Sequence, residues 1–99
     1  MKTITIVFNV SIEDAVLAAL RSVGVEHFTQ WPRIVGVGPR TGPRMDSHVW
    51  PGANSSIVVL VDDATAVCVL SVLQELHDSP EGQQAGLTAW QTNVEQMLH

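Results

Sequence analysis

The chain has 99 residues, the length of one domain, and 45% apolar against 15% charged residues, a balance that excludes a disordered chain. A net charge of −5 excludes a broad nucleic-acid-binding surface, and a single cysteine excludes a disulfide framework. No signal peptide is recognisable and no apolar run approaches the ~20 residues that cross a bilayer, so we expect one cytoplasmic domain over residues 1–99, without membrane insertion.

The first predicted elements are a strand and a helix. Apolar residues alternate along residues 3–9, which is the period of a strand. Ser11 then stands where a helix cap is expected, with Asp14 three residues on, and apolar residues recur at helical spacing. Gly24 supplies the left-handed residue that commonly ends a helix. We therefore predict a strand over residues 3–9 and a helix over residues 12–23.

The middle of the chain predicts two strands around a long loop. Residues 27–38 are rich in strand formers, but Pro32 inside this run requires an edge position or a bulge. Residues 38–54 hold several Pro and Gly residues without an apolar period, which indicates a loop of functional length. Residues 55–61 are apolar almost throughout, so both faces of this strand are expected to be covered.

The second half of the chain repeats the order of strand, helix and strand. Asp62 and Asp63 stand where a helix N-terminus favours carboxylates, and residues 64–78 follow as a helix that Ser79 to Gly82 end. Residues 87–92 predict a last strand, and residues 93–98 a tail. This order predicts a ferredoxin-like βαββαβ fold, a four-stranded antiparallel sheet with two helices on one face. The open face is then expected to be buried in a homo-oligomer, or to form an apolar ligand groove.

Positive charge is concentrated on the predicted loop. Three of the five cationic side chains lie between Arg33 and Arg44, and no acidic residue lies between Glu26 and Asp46. Arginine forks bind carboxylates and phosphates, so this pattern indicates recognition of an anion or an acidic partner surface. The alternative is a solvated loop without a partner.

Asp46, His48 and Trp50 bring a carboxylate, an imidazole and an indole into one short segment of the loop. His48 could bind a divalent metal with Asp46 as second ligand or orienting group, and a trimer could bring three copies of His48 together. Alternatively, His48 hydrogen-bonds the loop backbone and Trp50 fills a gap on the sheet. Trp31 and Trp90 are expected in a core or subunit interface rather than in ligand stacking. The other histidines, His27, His77 and His99, have no partner at ligand spacing.

Several segments resemble one known family, the small PII-like proteins encoded beside heavy-metal and multidrug efflux transporters of the resistance-nodulation-division type. The matching segments are Phe28-Thr29-Gln30-Trp31, Gly36-Val37-Gly38, Thr41-Gly42-Pro43, Asp46-Ser47-His48-Val49-Trp50-Pro51, Asn54-Ser55, Leu87-Thr88-Ala89-Trp90 and Asn93-Val94-Glu95-Gln96-Met97. The resemblance implies a homotrimer, an effector in the clefts between subunits, and a loop over residues 38–54 that touches a membrane transporter.

Two departures from the family pattern bear on the effector. PII proteins that bind ATP carry Gly-Asp-Gly-Lys after the second helix, whereas residues 81–86 here contain no lysine. Members of the efflux-associated family often have a histidine four residues before His48, where this chain has Arg44. The second departure favours an anion over a metal.

Our leading interpretation is a non-enzymatic PII-like trimeric regulator. It would bind a small anionic effector or an adenine nucleotide at the subunit clefts and act on a transporter through its loop. One alternative is a metal-binding trimer like the copper-tolerance (CutA-like) proteins, with His48 and Asp46 as ligands. Another is a small dimeric enzyme with His48 as general base. The expected ligand-binding residues are Arg40, Arg44, Asp46, His48, Trp50, Asn54 and Trp31.

Overall fold

A computed structural model of the chain describes residues 1–38, 42–44 and 53–98. Within these residues a 3-10 turn (Val10–Ile12) links the first strand to the first helix. The strands are β1 (Lys2–Asn9), β2 (Thr29–Ile34), β3 (Gly36–Gly38), β4 (Gly42–Arg44), β5 (Asn54–Val61) and β6 (Leu87–Asn93). The helices are α1 (Glu13–Ser22), α2 (Asp63–Asp78) and α3 (Pro80–Ala85). None of these helices has the length and hydropathy needed to span a bilayer.

The main sheet has four antiparallel strands in the order β2-β5-β1-β6. Strand β1 is central, and its Ile6 lies opposite Ile57 of β5 and Ala89 of β6. Counted along the main sheet alone, the first strand pairs with the third and the fourth, and the second pairs with the third, which is the ferredoxin-like order. The predicted α+β fold class is therefore confirmed.

Alternation along β1 places the core on one face of the sheet. Ile4, Ile6 and Phe8 are buried, whereas the intervening residues are only partly covered. The helices contribute the same kind of side chain at helical spacing, and the residues that complete the core include Val16, Leu20, Val69 and Leu73. Both long helices thus cover one face, and the opposite face of the sheet has no covering helix in the described part of the chain.

The start of α1 differs from the prediction that Ser11 caps it. The Asn9 side chain accepts a hydrogen bond from the Ser11 backbone N–H at 2.9 Å. Asn commonly bonds its own backbone two residues on, and this contact closes a 3-10 turn before the helix. Ser11 therefore lies inside the turn, and α1 begins at Glu13 without a side-chain cap.

The connection after α2 also differs from the prediction, because residues 80–85 form a further helix. The Ser79 hydroxyl donates to the Leu76 carbonyl at 2.6 Å and accepts from the Gly82 N–H at 3.0 Å. Ser79 therefore ends α2 and caps α3 at once. Pro80 follows at the first helical position, where its missing N–H costs nothing.

The long loop begins as a two-stranded hairpin rather than as irregular chain. Gly36 pairs with Arg44 and Gly38 with Gly42, so β3 and β4 form a ribbon separate from the main sheet. Strand β2 is an edge strand with a register shift between Trp31 and Ile34, which is the irregularity that Pro32 predicted. The predicted loop over residues 38–54 therefore begins in this ribbon, which leaves the main sheet as an arm. Residues 39–41 and 45–52 lie outside the described residues.

Candidate ligand-binding site

A pocket of about 720 Å³ opens at the end of the sheet where β1 ends and β5 and β6 begin. One wall is the arm that leaves β2, over residues 34–37, and the opposite wall is the C-terminal half of α2 with α3. The start of β6, residues 86–89, lies between these walls. Three separate segments of the chain therefore converge on one cavity.

The helical wall presents three long polar side chains, from Gln74, His77 and Gln83. The Gln83 side-chain amide donates to the His77 backbone carbonyl at 2.6 Å and so fastens α3 to the end of α2. The Gln74 amide donates to both carboxylate oxygens of Asp78 at 3.0 Å. This wall is therefore tied together by side-chain hydrogen bonds.

The side chains of His77 and Asp78 are in hydrogen-bond contact at the rim of the pocket. The His77 Nδ1 lies 2.9 Å from the Asp78 Oδ1. Hydrogen bonds from His77 and then Gln74 lower the pKa of the Asp78 carboxyl below its usual value, because both stabilise the charged form. The Asp78 carboxylate therefore remains ionised near neutral pH and accepts a hydrogen bond from the Nδ1–H of His77.

The arm wall is mostly apolar and exposed. The side chains of Val35 and Val37 are 57% and 73% exposed, which is unusual for valine. Gly36, between them, lines the pocket and pairs with Arg44 across the ribbon. The backbone of Arg44 is thereby brought beside the cavity.

The structure brings only part of the predicted site to this pocket. Asn54 lines it at the first residue of β5. Trp31 does not line it, because the β2 register directs this residue to the open face of the sheet. The predicted site residues Arg40, Asp46, His48 and Trp50 and the Arg44 side chain lie outside what the structure describes.

Gln74, His77 and Gln83 are the pocket residues that sequence reasoning missed. A signal was present, because Gln74 and His77 are three residues apart and so share one face of α2. The sequence offers His77 no partner at metal-ligand spacing, and the structure gives it a hydrogen-bond partner in the next residue, Asp78. What the sequence does not carry is the packing of α3 and β6, which turns this face into a cavity wall.

The open face of the sheet carries large exposed apolar side chains among threonine and serine residues. Trp90 lies opposite Thr5, and Trp31 lies opposite Ser56. On this face Trp31 is 52% exposed, Trp90 is 47% exposed and Leu60 is 43% exposed. Large exposed side chains on one face indicate an association surface.

No cluster of three or more His, Cys, Asp or Glu side chains occurs among residues 1–38, 42–44 and 53–98. The predicted metal ligands His48 and Asp46 lie outside these ranges, so the metal interpretation stays a prediction.

The chain is similar to known proteins over nearly its whole length. A family model described as nitrogen regulatory protein P-II matches residues 1–97. Among solved structures, one similar protein is CPII from Thiomonas intermedia K12, a nitrogen regulatory PII-like protein bound to ADP, AMP and bicarbonate. CPII superposes on this chain with a TM-score of 0.71 at 16% sequence identity, over 96% of this chain and 88% of CPII.

A second neighbour comes from another organism. A protein of Thermus thermophilus, proposed to be a PII-like signalling protein, superposes with a TM-score of 0.62 at 22% identity, over 94% of this chain and 85% of that one. No curated protein matches the chain in sequence. At these identities the structural neighbours support the fold.

Proposed function

This chain belongs to the nitrogen regulatory protein P-II family, and on that premise we propose that it is a non-enzymatic, trimeric signalling protein. It binds a small anion or an adenine nucleotide in the pocket between the arm and the α2–α3 wall. The observation that carries the proposal is this pocket, built at the foot of a long loop by three converging segments. A loop placed there can change conformation when a ligand occupies the cavity.

The ligand class is supported by a neighbour and by charge. CPII, which shares the fold, binds ADP, AMP and bicarbonate. The described lining of the pocket contains no lysine or arginine, whereas Arg40 and Arg44 belong to the arm that forms one wall. We assign the recognition of the anion to these arginines together with Asp46, His48, Trp50 and Asn54.

The trimer supplies the remaining part of the site in this proposal. The apolar open face, with Trp31 and Trp90, is the surface that would be buried between subunits. Trp31 would then shape the cleft from the subunit interface rather than from the pocket itself. The loop over residues 38–54 would carry the ligand state to a membrane transporter from the cytoplasm.

The test is native mass spectrometry and calorimetry of the purified protein with ADP, AMP, bicarbonate, Zn(II) and Cu(II). We expect a trimer that binds a nucleotide or bicarbonate, and an about tenfold loss of affinity in Arg44→Ala, because a charge-assisted hydrogen bond is removed. Arg21→Ala, an exposed arginine on α1, is the matched control and should leave the affinity unchanged. Uptake of metal alone, lost in His48→Ala, would replace this proposal by metal binding.

A further inference from the structure

The pocket has an unusual charge content for a site that takes an anion. Of its lining residues within the described part of the chain, His77 alone has a titratable side chain. The others are apolar, or carry neutral amides and a hydroxyl, as in Asn54, Gln74, Gln83 and Thr88. The charge of this wall therefore depends on the protonation of one imidazole.

The contacts of His77 determine which ring nitrogen meets a ligand. The Asp78 carboxylate accepts a hydrogen bond from the Nδ1–H of His77, with 2.9 Å between Nδ1 and Oδ1. The Gln74 side-chain amide donates to both oxygens of the same carboxylate. Within the described residues Nε2 has no hydrogen-bond partner. With Nδ1 protonated, Nε2 is a bare acceptor in the neutral imidazole and becomes an N–H donor in the imidazolium.

We infer that His77 is an anion-recognising side chain of the pocket, oriented by Asp78, and that its protonation makes ligand affinity depend on pH. The inference rests on the proposed function, since it names the regulation of the same site. Below neutrality the Nε2–H donates to a phosphate or carboxylate oxygen of the ligand. As the pH rises the donor is lost and a lone pair faces the anion, so affinity falls.

The pH dependence is assigned to His77 because no other charged side chain in the described part of the chain lines this pocket. Asp78 is the charged group in contact with it, and β6 carries no charged residue. Further charged side chains on the elements packed against α2 are Glu81 in α3, Glu13, Asp14 and Arg21 in α1, and Lys2 in β1. None of these lines the pocket. Arg33 in β2 and Arg44 in β4 do not titrate in this pH range.

The experiment compares two probes that share the nucleoside and differ in the presence of a charged group. Adenosine 5′-sulfate keeps one negative charge throughout, whereas adenosine is uncharged, so neither probe titrates itself. We expect the trimer to bind the sulfate ester about tenfold more tightly at about pH 5.5 than at about pH 8, and adenosine equally at both. His77→Gln should bind the sulfate ester with the weaker affinity at both pH values.

Two further variants sharpen the test. Asp78→Asn removes the carboxylate that holds the imidazole through Nδ1, so the affinity for the sulfate ester at about pH 5.5 should fall. His27→Gln, an exposed histidine before β2, is the matched control and should retain the full pH dependence. Circular dichroism and the native mass of each variant check that it is folded and assembled.

The contrary outcomes are distinct. Retention of the pH dependence in His77→Gln, or its loss in His48→Gln instead, overturns the role of His77 while the proposed function stands. Equal affinity of the unmodified protein for the sulfate ester at both pH values does the same. Absence of binding by both probes, by AMP and by bicarbonate overturns the proposed function, and this inference with it.

Discussion

Gly82 is the residue at which side-chain size decides whether the helical wall of the pocket can form. A Cβ at this position would lie 1.9 Å from the Leu76 carbonyl oxygen and 2.8 Å from its carbon. Both atoms belong to the backbone at the end of α2, which cannot move aside as a flexible side chain would. Only glycine therefore lets α3 fold back onto α2.

We predict that Gly82→Ala lowers the free energy of unfolding by about 1–3 kcal/mol, because the added methyl group forces α2 and α3 apart. Urea denaturation followed by circular dichroism measures the change. Gly36→Ala is the control, since a Cβ there meets no atom within 4 Å. Equal stability of Gly82→Ala and the unmodified protein would show that the α2–α3 junction yields more easily than its geometry implies.

At the scale of elements, α2 is anchored at its first turn by Asp62. The Asp62 carboxylate accepts a hydrogen bond from the Thr65 backbone N–H at 2.7 Å. This hydrogen bond is the main cause that lowers the pKa of Asp62 below its ordinary value of 3.8. A lowered pKa in the folded state means that the cap stabilises the fold above the unfolded pKa. That stabilisation is lost as the pH falls through the folded value.

Acid should therefore weaken α2 through this cap. We predict that the stability of the protein falls as the pH drops below about 4, and that Asp62→Asn reduces the steepness of this fall, because asparagine caps without titrating. Asp62→Ala should be less stable than Asp62→Asn at neutral pH. Denaturant titrations over a pH series measure both effects, and an unchanged acid slope in Asp62→Asn would contradict the role of the cap.

Elements with local signals were predicted well, and those that depend on packing were not. The elements β1, β5 and α2 each begin one residue before the predicted start and end where predicted, because alternation and a capping carboxylate are visible in the sequence. Helix α3 was missed because it forms only where Gly82 fits under Leu76. The β3–β4 ribbon was missed because glycine and proline hide the strand period.

Only part of the candidate ligand-binding site could be predicted from the sequence. Asn54 was expected from a family resemblance and does line the pocket. His77 was not, since nothing in the local sequence says that α3 and β6 close a cavity beside it. The arginines of the arm stay a prediction.

At the scale of the whole molecule, the open face of the sheet is a surface that the described helices leave uncovered. Leu60 lies opposite Thr3, with Trp31 and Trp90 on the same face. A monomer that exposes two indoles and a leucine on one face would gain free energy by association.

We predict that Leu60→Asp converts the proposed trimer to monomers, because it places a charge in the surface that we propose to be buried between subunits. Val67→Asp is the matched control, since Val67 is 71% exposed but lies on the outer side of α2. Native mass spectrometry distinguishes the two species. A trimeric Leu60→Asp protein would mean that the subunits associate through a different surface.

The central position of β1 has a consequence for folding during synthesis on the ribosome. Ile6 needs Ile57 on one side and Ala89 on the other, so a strand made early waits for partners made much later. Until β6 has emerged, Ile4, Ile6 and Phe8 have no complete sheet to join. Slowing translation should therefore not help this chain to fold piece by piece: its sheet can be completed only after nearly the whole of the described sequence has been synthesised.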